Sequence, residues 1–330
     1  MRLVRLGRSG PEVSEMGLGC MGMSGGYGRA DDSESIATIH AALEAGVTML
    51  DTGDFYGMGH NEMLIRKALE GGRRERAFIA VKFGAMRGPD LKFLGDDGRP
   101  SSVKNFLAYT LRRLGTDWVD LYQPARLDPT GPIEETVGAI ADMVKAGYVR
   151  HIGLSEVSAR SIRRAHAVHP IAALQIEYSL VSRNIEREIL PTIRELGIAL
   201  VAYGVLSRGL LSDSAEASKD AGEIRTRMPR FSAESFPRNL ALVQALAAIA
   251  REKNASTAQL AFAWVRSRGE DVVPLVGARR RDQLREALGA LDVTLTKADL
   301  ARIAQAVPPE AVAGTRYLPA VLAHIDSESG

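Results

Sequence analysis

A single cysteine, Cys20, in 330 residues excludes an internal disulfide and removes any structural need for an oxidising compartment. Excess charge of either sign is also missing. The 42 basic and 40 acidic side chains leave a net charge of +2, too balanced to favour a nucleic-acid or membrane-surface partner. No basic stripe with interleaved aromatics is found, and no uninterrupted apolar run approaches the roughly 20 residues of a membrane span. Arg2, Arg5 and Arg8 are spread through the N-terminal stretch, which has no apolar core of a signal peptide. The expectation is a soluble cytoplasmic protein with neither nucleic acid nor membrane as partner.

What the chain does contain is an ordinary globular balance of 45% hydrophobic and 25% charged residues, with ample core. Arg2 to Leu6 and Val13 to Met16 flank the turn cluster Gly7-Arg8-Ser9-Gly10-Pro11, which predicts an N-terminal β-hairpin. A repeating helix-then-strand pattern follows. Ser33 can cap a helix carrying Ile36, Ile39 and Leu43 on one face, and Gly46 stops it before the next strand. Units of this kind place short, continuously apolar strands near 16–18, 48–50, 77–81, 119–122, 149–154, 174–176, 198–202 and 272–276. Such strands suit a parallel sheet covered on its outside. Eight of them, each followed by a helix, predict a single (β/α)8 TIM barrel over 1–330 rather than an open doubly wound sheet, with its chemistry at the strands' C-terminal ends.

Two of those ends carry charge. Val47-Thr48-Met49-Leu50 stops at Asp51, and Phe78-Ile79-Ala80-Val81 stops at Lys82. Burying either charge alone is expensive, so the two are expected to face each other. Tyr56 follows Asp51 closely, and a cation beside a phenol stabilises the phenolate, turning tyrosine into a usable acid.

Gly17-Leu18-Gly19-Cys20-Met21-Gly22 matches G-x-G-x-x-G formally, but a dinucleotide fingerprint needs a helix to begin there. No helical pattern appears until Asp32, so the stretch reads as a glycine-rich loop at the barrel mouth. Phe83 to Pro100 and Ser207 to Pro237 are long mouth loops, and residues from about 308 form a tail able to fold over the same mouth.

The stretch Asp51-Thr52-Gly53-Asp54-Phe55-Tyr56-Gly57 resembles the D-T-A-x-x-Y-G pattern of the aldo-keto reductase superfamily, departing only at Gly53. Further resemblances lie in Asn61-Glu62, Val81-Lys82-Phe83-Gly84, Leu114-Gly115-Thr116-Asp117, Gly153-Leu154-Ser155-Glu156, Gln175-Ile176-Glu177-Tyr178 and Arg208-Gly209-Leu210-Leu211. The resemblance implies NADPH bound across a barrel mouth and a small-molecule carbonyl reduced there, with Asp51, Tyr56 and Lys82 catalytic. It further implies that Ser155 and Gln175 hold the carboxamide and that Tyr203 stacks on the nicotinamide. Leu206 and Arg208 belong to the loop resembling Y-S-P-L-G-R-G, where Arg208 would touch pyrophosphate. At the adenine end the resemblance points to Gly277, Arg279, Gln283 and Glu286. Arg279, Arg280 and Arg281 open a helix, where cations oppose the dipole and suggest a bound anion, hence the 2'-phosphate of NADPH.

The departure of consequence is Ala125, standing where the family carries a histidine that polarises the substrate carbonyl. One missing donor costs about 10²-fold to 10³-fold in rate. A cofactor-binding regulatory subunit is therefore the rival reading. Met23, Phe55, Phe83 and Tyr122 are expected to line the substrate pocket with Ala125. No metal site is expected, because His166 and His169 have no carboxylate or thiol joining them.

Overall fold

The computed structural model describes residues 1–26, 28, 30–212 and 224–328. The chain opens on an antiparallel hairpin, β1 (Leu3–Arg5) and β2 (Glu12–Ser14), as its turn residues require. The repeating units follow: β3 (Gly17–Gly19), α1 (Asp32–Glu44), β4 (Met49–Gly53), α2 (His60–Ala68) and β5 (Phe78–Phe83). A small antiparallel pair, β6 (Ala85–Arg87) and β7 (Phe93–Asp96), occupies the first long mouth loop. Then come α3 (Pro100–Leu114), β8 (Val119–Pro124), α4 (Ile133–Lys145), β9 (Val149–Ser155), α5 (Ala159–Val168), β10 (Ile171–Glu177) and α6 (Ile189–Leu196). β11 (Ala199–Tyr203), α7 (Ser235–Glu252), α8 (Thr257–Arg266), β12 (Val272–Val276), α9 (Arg281–Leu288), α10 (Lys297–Ala306) and α11 (Pro319–Leu322) complete the described elements.

β3, β4, β5, β8, β9, β10, β11 and β12 are all parallel and close into one barrel, β12 pairing back onto β3. This is the eight-stranded TIM barrel that the repeating pattern predicts. The α1 cap is Asp31 rather than Ser33: Asp31 is extended, and its carboxylate accepts from the Glu34 amide at 2.8 Å. Gly46, Gly147 and Gly197 end their helices with φ of 86°, 88° and 70°, a region that glycine enters without strain.

Strand alternation sorts the side chains into two cores. Met49, Ala80, Leu121, Ala173, Val201 and Leu275 point into the lumen, where Val4, Leu6 and Val13 of the hairpin join them and plug the N-terminal end. Leu50, Ile79, Val81, Ile152 and Leu174 point outward beneath the helices. With one end closed by the hairpin, chemistry is left to the other end. No helix among the described residues is long and apolar enough to cross a membrane.

Candidate active site

Two residues beyond five of the six lumen-filling strand side chains, the same alternation delivers a polar one: Asp51 after Met49, Lys82 after Ala80, Gln123 after Leu121, Gln175 after Ala173 and Tyr203 after Val201. Neighbouring register stacks these positions into a layer, with Gly53 opposite Lys82, Lys82 opposite Gln123, and Ser155 opposite Gln175. At this layer the charges found in the sequence meet. Lys82 Nζ donates to Asp51 Oδ1 at 2.6 Å, both groups being buried. Gln175 Nε2 donates to the same oxygen at 2.7 Å. Burial pulls the Lys82 ammonium below the usual lysine range, while the charge and hydrogen bond of Asp51 oppose that shift.

Tyr56, almost buried, follows the end of β4, and Lys82 Nζ lies 5.1 Å from its ring centroid. The edge of the Phe55 ring meets Tyr56 at 4.9 Å and 80°. Gly53 accommodates that arrangement: a Cβ there would lie 3.1 Å from the Phe55 ring, tight enough to displace it. Carboxylate, ammonium and phenol are thus gathered at one strand end.

Other polar groups of the layer are left open. Ser155 Oγ and both amide atoms of Gln123 are buried without a hydrogen-bond partner among the described residues. An unsatisfied buried polar group costs about 1–3 kcal/mol, so this donor set suits a ligand that itself offers amide donors and acceptors. Gln123 is absent from the sequence-based set. Its signal was available, as it is a polar residue closing an apolar strand, like Lys82.

The far side of the mouth is tied to the tail. Glu156, at φ 55°, is fully buried and accepts from Arg316 Nη1 and Nη2 at 2.8 and 2.5 Å, and from the Tyr203 hydroxyl at 2.6 Å. Burial pushes its carboxyl upward, but the Arg316 contact outweighs that and holds it at about 2. Tyr317 reaches the Tyr203 hydroxyl at 3.2 Å. Arg208 pairs with Glu177 at 3.1 Å and lies 4.5 Å over the Tyr317 ring. Leu206 is half-buried beside it, its carbonyl accepting from Gly209.

At the adenine-side positions, Gly277 is exposed and a Cβ there would meet nothing. Gln283 Oε1 accepts from the Arg279 amide at 3.2 Å, and Glu286 is exposed on α9. The cations opening α9 are partly balanced within the protein, Arg280 by Asp282 at 3.0 Å and Arg281 by Glu34 at 2.9 Å. Exposed pairs of this kind are worth about 0–1 kcal/mol and yield easily to a ligand.

Three expected pocket residues are turned away from the lumen. Phe83 follows Lys82 and Tyr122 precedes Gln123, so alternation sends both outward, where they stack at 4.2 Å beneath α3. The Tyr122 hydroxyl donates to the Val103 carbonyl. Met23 is fully buried in the same outer core. Of the long-loop arginines, Arg230 is a buried brace, donating to Ser182, Ser207 and the Val181 carbonyl, and Arg225 lies in a short turn. Residues 213–223 of that loop lie outside the described residues. His60 is bonded to Ser24 Oγ at 2.9 Å and to Asp32 at 3.3 Å.

A family model described as the aldo/keto reductase family matches residues 15–308. The chain belongs to the aldo-keto reductase family. A soybean (Glycine max) protein called probable aldo-keto reductase 1 is 44% identical over 318 residues, covering 95% of this chain and 91% of its own length. Among solved structures, a glycerol dehydrogenase of Gluconobacter oxydans superposes with a TM-score of 0.85 at 27% identity, covering 93% of this chain and 96% of that one. The holo form of an aldo-keto reductase from Bacillus halodurans gives 0.76 at 28% identity, covering 94% and 97%.

One carboxyl of this aldo-keto reductase lies beside the layer rather than in it. Asp54 is pushed up to about 7, by burial first and then by the charge of Glu62. A carboxyl whose folded value is raised binds its proton more tightly in the folded than in the unfolded chain. Stability is therefore lost as pH rises from the ordinary 3.8 toward 7. Asp54→Asn should accordingly unfold at a higher temperature than the wild type at pH 8, by more than about 1 kcal/mol of stability, with the gain vanishing near pH 4. Thermal melts at the two pH values check this, and an equal effect at both would exclude the titration as cause.

Proposed function

We propose that this protein reduces an aldehyde or ketone to the alcohol using NADPH, with Tyr56 as the proton donor. The observation carrying the reading is the Asp51–Lys82 pair set under the Tyr56 ring at the open end of a plugged barrel. NADPH, when bound, would supply hydride to the carbonyl carbon. Gln123, Ser155 and Gln175 would hold its carboxamide end, Tyr203 the ring face, Arg208 the pyrophosphate and Arg279 the 2'-phosphate.

The chain's own residues handle the proton. Tyr56 Oη gives its proton to the substrate oxygen as negative charge builds there, and the Lys82 ammonium favours the phenolate left behind. Asp51 compensates that buried ammonium, and Gln175 fixes the carboxylate in place through its 2.7 Å bond. Ala125 leaves β8 without an imidazole, which favours one rival: a subunit that binds NADP(H) and scarcely turns over.

Mixing the full chain with NADPH and a panel of aldehydes and ketones separates the two readings. Cofactor consumption matched by alcohol formation supports reduction, whereas tight NADPH binding with consumption no faster than the enzyme-free control leaves the regulatory reading. For the cofactor, Arg279→Ala should weaken NADPH binding about 10-fold, the value of one charge-assisted hydrogen bond, and NADH binding by less than about 2-fold. An unchanged NADPH/NADH ratio would move the selectivity to another residue.

A further inference from the structure

Four arginines gather around the tail side of the mouth, and three have carboxylate partners. Arg208 lies 3.1 Å and Arg230 3.4 Å from Glu177, and Arg316 lies 2.5 Å from Glu156. Arg126 differs. It is half-buried at the end of β8, and the hydrogen bond it makes goes from Nη1 to the backbone carbonyl of Ala125 at 2.6 Å. No carboxylate among the described residues comes within ion-pair distance of it. It is nonetheless close enough to Lys82 for their charges to oppose each other, and it lies in the field of Tyr203, Glu156 and Tyr317. Asp96 feels it too, without pairing. Ala125 donates its amide to the Phe83 carbonyl at 2.8 Å, so the guanidinium stands in the same mouth as the Lys82 ammonium and the ring of Tyr203, with most of its five N–H donors uncommitted among the described residues.

We propose that Arg126 binds a carboxylate on the substrate, so that the carbonyl compound reduced here is an oxo acid or an aldehyde acid. The inference rests on the carbonyl-reduction reading and names its substrate class. A guanidinium partly withdrawn from water and left unpaired is costly, and a planar carboxylate offsets that cost with two parallel N–H···O bonds. A neutral carbonyl compound has no group that does so. With alanine at 125, Arg126 also becomes the principal way in which β8 orients an acid substrate, because Gln123 is placed for the cofactor's amide.

The test compares matched pairs, succinic semialdehyde with butanal and 4-carboxybenzaldehyde with benzaldehyde, in the wild type, Arg126→Leu and Arg126→Lys. The wild type is expected to favour the acids by about 10-fold or more in kcat/KM. Arg126→Leu should lose on the order of 10²-fold with the acids, mainly through KM, while changing the neutral aldehydes less than about 3-fold. Arg126→Lys keeps the charge and should recover part of the loss, which a misfolded mouth would not allow. Equal losses for acids and neutral partners, or no acid preference in the wild type, would overturn the proposal. Calorimetric binding of succinate and terephthalate separates the two levels. Binding lost in Arg126→Leu, with no aldehyde reduced by the wild type, keeps the carboxylate site and rejects reduction. Reduction without any such binding rejects the site alone.

Discussion

Tyr56→Phe should lower the rate of carbonyl reduction by about 10²-fold to 10⁴-fold, the usual contribution of a positioned general acid, while NADPH affinity stays within about 2-fold. The substitution keeps the ring contacts of the site. A phenylalanine ring keeps the edge contact with Phe55 at 4.9 Å and still offers its face to the Lys82 ammonium at 5.1 Å. The Asp51–Lys82 pair therefore stays in place, and the melting temperature should stay near that of the wild type. Single-turnover measurement from bound NADPH reads the chemical step directly. A rate unchanged by the substitution would end the role given to Tyr56.

Lys82→Met should be damaging in two separable ways. The wild-type pair is buried at 2.6 Å, so removing the cation leaves Asp51 charged in the core with Gln175 alone among the described side chains to bond it. Breaking such a pair costs about 3–5 kcal/mol, which denaturant unfolding at neutral pH would register. The double variant Asp51→Leu with Lys82→Met removes both charges and should recover most of the stability, because apolar replacements of a buried pair are often neutral or better. It should remain as inactive as the single variant. Activity returning together with stability would make the pair purely structural.

Much of this was legible along the chain. The barrel strands lie within three residues of where continuous apolar runs put them, the largest differences being at the end of β4 and the start of β10, and 272–276 matches β12 throughout. The β6–β7 pair was not legible: its strands are short, without period, and none of their residues is buried, so no apolar run marks them. Asp31 displaced Ser33 as cap because the helix begins two residues earlier than the apolar face suggested. Phe83 and Tyr122 face the outer core rather than the expected pocket, a distinction apolarity cannot make because both faces of a barrel strand are apolar. Alternation from Lys82 and Gln123 already contained the answer.

The Glu156–Arg316 contact spans 160 residues, and nothing local in either segment announces it. The same is true of Gln175 on Asp51, 124 residues apart. By itself the sequence determined the eight-fold repeat, the strand ends and the kinds of chemistry they carry, because periodicity, caps and polar punctuation are short-range properties. Only the closed barrel decided which face of each strand is lumen, which arginines have carboxylate partners and which polar atoms are left open. Those outcomes depend on distances between segments that closure alone brings together.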